Sequence, residues 1–471
     1  MAGRTVVILL AAGAGSRFGG GKLLARLDGR PVLAHVLDAL ADAGLTEVTV
    51  VLGRDAVDVE AAIGWRSERR VVNPDPDRGL SSSLALGFEA IGPDVEQVLV
   101  ALGDQPHISV RTIRALLAAP VDQGRPVVVP RYGNDRGRNP VLIRRPAFSL
   151  VAEATGDRGL GPVLETHADL VHEVAAEGSN PDIDTRGDLR RLAESAWSAR
   201  VRANREQVDR IREVPDGHDF YAPVRSLFRA DPSRSDDPVL GALLELVRPG
   251  ETWLDVGAGA GRYALPLARA LARSGGSVVA LDPSASMLGA LREIAEEHGI
   301  ANVRTVEARW PTPDPRTLAS DVVLIAHVGY DVEAIGPFVD GLEAAAGRLC
   351  VAVLMEQAPA SAADPFWPRV HGEARVPLPA LPSFVELLES AGRTPTVTRV
   401  ASEVRRLESR EALEGFARRQ LWIDPSGPKE SRFQAAIDEL AVEEEGGWTI
   451  QGRAPMDIGV VTWEPPTVGR T

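Results

Sequence analysis

Cysteine is almost missing from this chain: Cys350 is the only one in 471 residues. A single thiol excludes an intramolecular disulfide and any metal cluster built on cysteines. It fits a reducing compartment, and a cytoplasmic location is expected. Positive charge is also short. Lys and Arg number 52 against 66 Asp and Glu, a formal net charge of −14, so no nucleic-acid partner is expected. No stretch approaches the ~20 apolar residues of a membrane span, and no membrane partner is expected. The apolar run Val6–Ala12 is short and meets a glycine-rich turn at once, as a buried strand does and a signal peptide does not. Internal repeats are absent too.

What the chain does have is two glycine-rich turns of different chemistry. The first is Leu10-Ala-Ala-Gly-Ala-Gly-Ser-Arg-Phe-Gly-Gly-Gly-Lys22, the second Leu254-Asp-Val-Gly-Ala-Gly-Ala-Gly-Arg262. Each follows a strand-like run and opens into a helical pattern. Glycines there let backbone N–H groups and a helix N-terminus approach a ligand. Arg17 and Lys22 give the first turn a cation pair that suits a triphosphate. The second has no nearby lysine and is followed by an acid, which suits a nucleoside without phosphates.

Around both turns, strand-like and helical stretches alternate, which predicts two doubly wound, Rossmann-like α/β domains. In the first, Thr5–Ala12, Val48–Leu52, Val98–Leu102 and Val127–Val129 read as strands, with helices over Pro31–Ala43 and Ser81–Ala90. Asp184 or Thr185 is placed to cap a last helix. The polar stretch Ala193–Arg212 reads as a solvated connecting helix, and Phe220–Phe228 as a lid or domain entry. In the second domain, strands are expected at Thr252–Val256, Val278–Leu281, Val303–Val306, Val322–Ala326, Leu349–Leu354, Val397–Val400 and Ile458–Trp463, with an antiparallel edge. The expected division is 1–195, a helical linker and entry segment at 196–235, and 236–471.

The spacing of the first turn excludes two common phosphate loops. A P-loop ending at Lys22 would need Gly at Ser16 and Ser or Thr at Leu23. A dinucleotide fingerprint would need Gly at Phe18. A long glycine turn with two cations remains, as a nucleotidyltransferase uses. Asp104, in Leu102-Gly-Asp-Gln-Pro106, ends a strand, so its carboxylate reaches the carboxyl edge of the sheet where α/β proteins bind ligands. It is a candidate Mg²⁺ anchor.

Residues 5–192 resemble the molybdenum-cofactor nucleotidyltransferases, in particular their cytidylyltransferase branch. The pieces that carry the resemblance are Leu10-Ala-Ala-Gly13 with Arg17 and Lys22, Asn73 with Gly79-Leu-Ser-Ser-Ser-Leu84, Leu102-Gly-Asp-Gln-Pro106, Asn139-Pro-Val141, Gly156-Asp-Arg-Gly159 and Asp182-Ile-Asp-Thr185. The resemblance implies a nucleotide-diphospho-sugar-transferase-like fold and transfer of CMP from CTP to a molybdopterin-type acceptor, with pyrophosphate released. Arg17, Lys22 and Asp104 would be the catalytic residues. Leu10, Ala11, Ala12, Gly13 and Gly15 would bind nucleotide, and Ser81, Ser82 and Ser83 would line the base pocket. Asp104 would hold Mg²⁺, with Asp184 or Asp182 as a second ligand. The guanylyl-transferring branch has Gly where this chain has Ala12, so a narrower base pocket and CTP rather than GTP are expected. Gly19-Gly-Gly21 departs from the family, which has a bulkier residue or Pro before the Lys.

In the second turn the glycines stand at 257, 259 and 261. A nicotinamide loop would want the third at position 262, which is Arg. Alternate glycines, with Asp282 ending the next strand to accept ribose hydroxyls, resemble class I S-adenosylmethionine-dependent methyltransferases of seven strands, over residues about 200–465. Asp255, Gly257, Gly259, Gly261 and Asp282 would be cofactor contacts, with Glu307 and Trp310 at the adenine. His327 and Tyr330 are candidates on the side of a small-molecule methyl acceptor, and Phe220, Tyr221 and Trp367 for a pocket roof. The whole reads as a bifunctional transferase. Its rivals are a chain in which one half senses nucleotide or S-adenosylmethionine, and a nicotinamide-dependent oxidoreductase.

Overall fold

Aliphatic and β-branched runs form the central strands of two seven-stranded sheets, one in each of two compact units, Met1–Leu192 and Ala193–Thr471. The computed structural model describes residues 4–13, 15–121, 124–133, 137–214, 231–402, 404 and 406–466.

The strands of the first sheet are β1 Thr5–Ala11, β2 Val48–Leu52, β3 Arg69–Val72, β4 Gln97–Leu102, β5 Val127–Tyr132, β6 Val141–Arg144 and β7 Val171–Ala176. Their order is β3-β2-β1-β4-β6-β5-β7, and only β6 runs antiparallel to its neighbours. Along β1, Val7, Leu9 and Ala11 pack into one core, and Val6, Ile8 and Leu10 into the core on the other face. This is the two-residue period of a strand covered on both sides. Leu10 pairs with Leu102, so the glycine turn after β1 and Gly103-Asp104 after β4 leave the sheet side by side.

The second sheet comprises β8 Thr252–Val256, β9 Ser277–Asp282, β10 Val303–Glu307, β11 Ser320–Ala326, β12 Ala346–Met355, β13 Thr396–Val400 and β14 Ile458–Trp463. Its order is β10-β9-β8-β11-β12-β14-β13. All seven expected strands are present. The antiparallel strand is β14, however, and it is not the edge: it pairs with β12 on one side and β13 on the other. Both fold-level expectations of an α/β, doubly wound, Rossmann-like unit hold.

Three strands of the first sheet were not anticipated, and each has a physical reason. β3 is an edge strand with mostly exposed residues and two arginines, β7 is an edge strand with alternating exposure, and β6 is only four residues long. The stretch expected as a solvated connection is instead part of a helix, Arg186–Ile211, with one face packed. Trp197 and Val201 are buried, and the indole N–H of Trp197 donates to the Val332 carbonyl at 2.9 Å. Asn204 and Gln207 donate to the carbonyls of Val376 and Ala374. Thr185, not Asp184, caps this helix: its hydroxyl accepts from the Asp188 N–H at 3.2 Å while the Asp188 carboxylate accepts from the Thr185 N–H at 2.6 Å, a reciprocal capping box. Phe220–Phe228 lies outside the described residues.

Between β13 and β14 the chain builds helices Arg410–Leu421 and Glu430–Leu440 and a small hairpin, Ala441–Glu444 with Gly447–Ile450. They share a hydrophobic core with Phe366, Trp367 and Val370. Trp367 is fully buried there, so its side chain packs and does not roof a pocket.

Candidate active sites

In the first unit, the turn after β1 brings Lys22 back under its own glycines. Its side chain is buried, and a Cβ on Gly15 would stand 3.4 Å from its Cγ. The Lys22 ammonium ion-pairs with the Asp104 carboxylate and lies 3.9 Å from Asp184. Arg17, exposed at its tip, reaches Asp184 at 3.1 Å. Asp104 and Asp184 thus flank one ammonium although 80 residues separate them in sequence. The link between their loops is direct, since the Ile183 N–H donates to the Asp104 carbonyl at 3.0 Å. Asp182 is held by Gln105, which Asn180 also touches. Burial, then the Asp104 charge, pushes the Asp182 carboxyl above the usual carboxylate range.

Gly19, Gly20 and Gly21 all adopt positive φ, at 92°, 90° and 66°, and a Cβ on any of them would meet nothing within 4 Å. Backbone conformation, rather than crowding, selects glycine there. Ser82 and Ser83 are committed inside the fold, where both hydroxyls accept from the Asn73 amide at 2.9 Å. Ser82 also donates to the Gly79 carbonyl. Two of the three expected base-pocket serines, Ser82 and Ser83, therefore brace the start of the helix Leu80–Glu89, and sequence could not show this partner.

In the second unit the glycine turn is closed by packing. Gly257 (φ 76°) would place a Cβ 2.5 Å from Val328, and Gly261 (φ 85°) would place one 2.8 Å from Leu265 and 2.9 Å from Leu291. The Asp282 carboxylate accepts from the Gly259 N–H at 2.9 Å and from the Ser284 N–H at 2.8 Å, which ties the loop to the end of β9. Asp255 is buried, and its Oδ1 has no hydrogen-bond partner among the described residues. Burial, then the nearby Asp282 charge, raises its carboxyl to about 7, against a hydrogen bond from the Ala264 N–H. Arg262, where a nicotinamide loop wants glycine, pairs with Asp237 at 2.9 Å.

Residues 7–171 match the family model described as a MobA-like NTP transferase domain, and residues 254–336 that of a methyltransferase domain. The nicotine blue oxidoreductase of Paenarthrobacter nicotinovorans is 32% identical over 198 residues, which make up 39% of this chain and 94% of that protein. The chain belongs to the MobA-like NTP transferase family. The bifunctional protein GlmU of Polaromonas naphthalenivorans is 35% identical over 120 residues, 24% of this chain and 25% of that protein, so the chain spans about a quarter of that relative's length. The crystal structure of Rv0371c from Mycobacterium tuberculosis is 30% identical with a TM-score of 0.38, covering 41% of this chain and all of that one. The protein is a two-part transferase, a MobA-like nucleotidyltransferase-like domain followed by a methyltransferase domain.

The MobA-like domain brings Arg17, Lys22, Asp104 and Asp184 together; Leu10, Ala11 and Ala12 are buried beside them. In the methyltransferase domain Asp255, the three glycines and Asp282 converge at the carboxyl ends of β8 and β9, and Glu307 pairs in register with Asp282. Trp310 donates its indole N–H to the Phe338 carbonyl at 3.1 Å and lies against Gly341. It therefore packs on the helix Ile335–Ala345. Tyr330 is likewise committed: its buried hydroxyl accepts from the Met355 N–H at 2.8 Å, and burial raises its titration well above the usual phenol range. His327 is half-buried with φ 58°, its Nδ1 buried without a hydrogen-bond partner among the described residues, and desolvation, then Arg262, lowers its imidazole to about 4. An imidazole that weak is a poor general base at neutral pH. No helix of the described residues is long and apolar enough to cross a membrane.

Proposed function

We propose that the MobA-like domain, assigned to residues 1–195, transfers CMP from CTP to the phosphate of a molybdopterin-type or related phosphorylated acceptor and releases pyrophosphate. The methyltransferase domain, assigned to 236–471, would pass a methyl group from S-adenosylmethionine to a small molecule. The observation that carries the first half is the buried Lys22 ammonium flanked by Asp104 and Asp184 under the glycine turn. An ammonium matched by carboxylates in a partly dry site can trade them for phosphate oxygens through strong, charge-assisted hydrogen bonds. Arg17 extends the cationic reach outward. Both cations would offset the charge that develops on the leaving pyrophosphate.

Among the described residues no cluster of three or more acidic, His or Cys side chains is arranged as a metal centre. The donor set still suits Mg²⁺, because two hard carboxylates flank one cation and Mg²⁺ commonly combines one or two carboxylates with substrate phosphates. Asp104 and Asp184 would hold the ion, which would supply charge neutralisation at the phosphates. A pyrimidine base is the smaller ligand that the Cβ of Ala12, in place of glycine, would favour. For the second half, Asp282 at the end of β9 supports a ribose contact, with Asp255 behind it.

Pyrophosphate release, measured with Mg²⁺, molybdopterin and either CTP or GTP, tests this reading, with Asp104→Ala as control. Release with CTP that the variant loses is expected. Equal turnover with GTP would overturn the pyrimidine preference, and no release with either nucleotide would overturn nucleotidyl transfer. Turnover by only one half would instead favour a sensor role for the other. The name of the Paenarthrobacter relative motivates a second reading, a nicotinamide-dependent oxidoreductase. Phe18 opposes it: the residue stands where the third glycine belongs and is buried, with the Arg186 guanidinium 5.1 Å above its ring. Tight NADPH binding would revive it.

A further inference from the structure

Against the carboxyl ends of β1 and β4 lies a cavity of about 190 Å³. Its floor is aliphatic: Leu10 from β1, Leu84 from the helix Leu80–Glu89, Leu102 from β4, and Leu160 and Leu164 from the segment after Gly159. One wall exists because Gly159 adopts φ 52° and lets Leu80 approach; a Cβ there would stand 2.7 Å from the Leu80 Cδ2. The rim is polar. Arg138 lines it, and its Nη1 is buried with no hydrogen-bond partner among the described residues. Beside it, the Asn139 carbonyl is fixed by the Tyr132 hydroxyl at 3.1 Å. The other two charged groups of the rim, Arg158 and Glu165, lie 3.7 Å apart and offset each other. Arg138 is the rim cation with no such match.

A buried donor on a charged group without an acceptor is costly, so such groups are nearly always paired or mark a binding site. The floor requires an apolar body and the rim an anion. Size narrows the class further. A closed apolar cavity of about 150 Å³ accommodates benzene, so this one has room for one ring. We propose that the cavity is the acceptor subsite and binds a single-ring group carrying a carboxylate or phosphate monoester, the ring on the leucine floor and the anion on Arg138. Describing it as the acceptor side rests on the nucleotidyl-transfer reading; the binding chemistry does not.

The test is direct binding to the full chain, without nucleotide, of benzoate, phenyl phosphate and benzyl alcohol, followed by calorimetry and saturation-transfer NMR. At least one anion is expected to bind about tenfold or more tighter than the neutral alcohol, because a charge-assisted bond in a partly buried site is worth at least that factor. The tighter of the two identifies the head group. Arg138→Gln should erase the advantage while leaving benzyl alcohol within about twofold, and Leu102→Phe, which fills the floor, should weaken all three. Equal affinity for the three probes, binding by none, an Arg138→Gln variant that keeps the preference, or a Leu102→Phe variant that binds like the parent would each overturn the proposal. The assay contains no nucleotide, so its failure and a failure of pyrophosphate release are separate results.

Discussion

The two glycine turns follow strands of the same kind and do opposite things with glycine and with charge. In the MobA-like turn, Gly19–Gly21 have positive φ and open space around every missing Cβ, and the charges beneath them are matched, Lys22 against Asp104 and Asp184. In the methyltransferase turn, Gly257 and Gly261 have positive φ and crowded surroundings, and the charge beneath them, on Asp255, is buried with one oxygen unpartnered. The first turn leaves open space around Gly19–Gly21 and holds matched charges, as the proposed nucleotide site requires. The second is a packed platform, where shape is fixed by the core and the buried acid is held near neutrality. Glycine content alone therefore does not show how a loop works; what a Cβ would touch does.

The largest expected effect sharpens the charge side of this contrast. Asp104→Ala removes the carboxylate that pairs with Lys22, and pyrophosphate release should fall by about 10²–10³-fold or more, the range for losing a preorganised electrostatic contact. S-adenosylmethionine affinity, measured by calorimetry on the same variant, should stay within about twofold. Loss of both would contradict independent halves.

The next pair separates crowding from conformation. Gly261→Ala must accept φ 85° and push against Leu265 and Leu291, which costs on the order of 2–4 kcal/mol. Gly20→Ala accepts φ 90° with nothing to push against and should cost about 1–2 kcal/mol. Hydrogen exchange resolved by peptide reads each unit separately. Equal losses at the two positions would remove the distinction drawn between the turns.

A pH series then probes the buried acid. Asp255 titrates near 7 in the fold against 3.8 ordinarily. Between those values the folded form holds a proton that the unfolded form has released, so stability from this group is full below about pH 4 and falls as pH rises toward 7. Asp255→Asn should remove that slope and leave the variant more stable than the parent at pH 8 by on the order of 1–3 kcal/mol. Urea midpoints of the second unit at pH 4.5 and pH 8 decide it; parallel pH profiles would place the Asp255 charge in a solvated setting.

Much of this was legible from residues alone, and the misses share a cause. Central strands such as Val48–Leu52 and Thr252–Val256 match the expected bounds because burial on both faces forces an unbroken apolar run. The edge strand Arg69–Val72 escaped because solvent takes one side and arginine is tolerated there. The stretch Ala193–Arg212 reads as solvated because its arginines dominate, yet within the helix Arg186–Ile211 the residues Trp197, Val201, Asn204, Gln207 and Ile211 recur at helical spacing and are buried. Two of those five are polar, paired with backbone groups of distant segments, so hydrophobic periodicity could not show the stripe. At the sites, Lys22, Asp104 and Asp184 were each identifiable, but their meeting depends on the Ile183–Asp104 backbone bond. The Ser82 and Ser83 bonds to Asn73 were equally hidden.

The smallest effect concerns Tyr330, where sequence position suggested chemistry and the fold shows support. Its hydroxyl accepts from the Met355 N–H at the end of β12, so Tyr330→Phe leaves one buried donor without a partner at a cost of about 1–2 kcal/mol. Methyl transfer, followed by S-adenosylhomocysteine formation once an acceptor is in hand, should stay within about twofold of the parent. A general acid or base at this position would cost about 10²–10⁴-fold. A rate loss on that scale with an unchanged thermal midpoint would return Tyr330 to the reacting side. A lowered midpoint with an unchanged rate fits a hydroxyl whose lone pair is already spent on the sheet, and it would make the methyltransferase platform a packed structure down to its polar atoms.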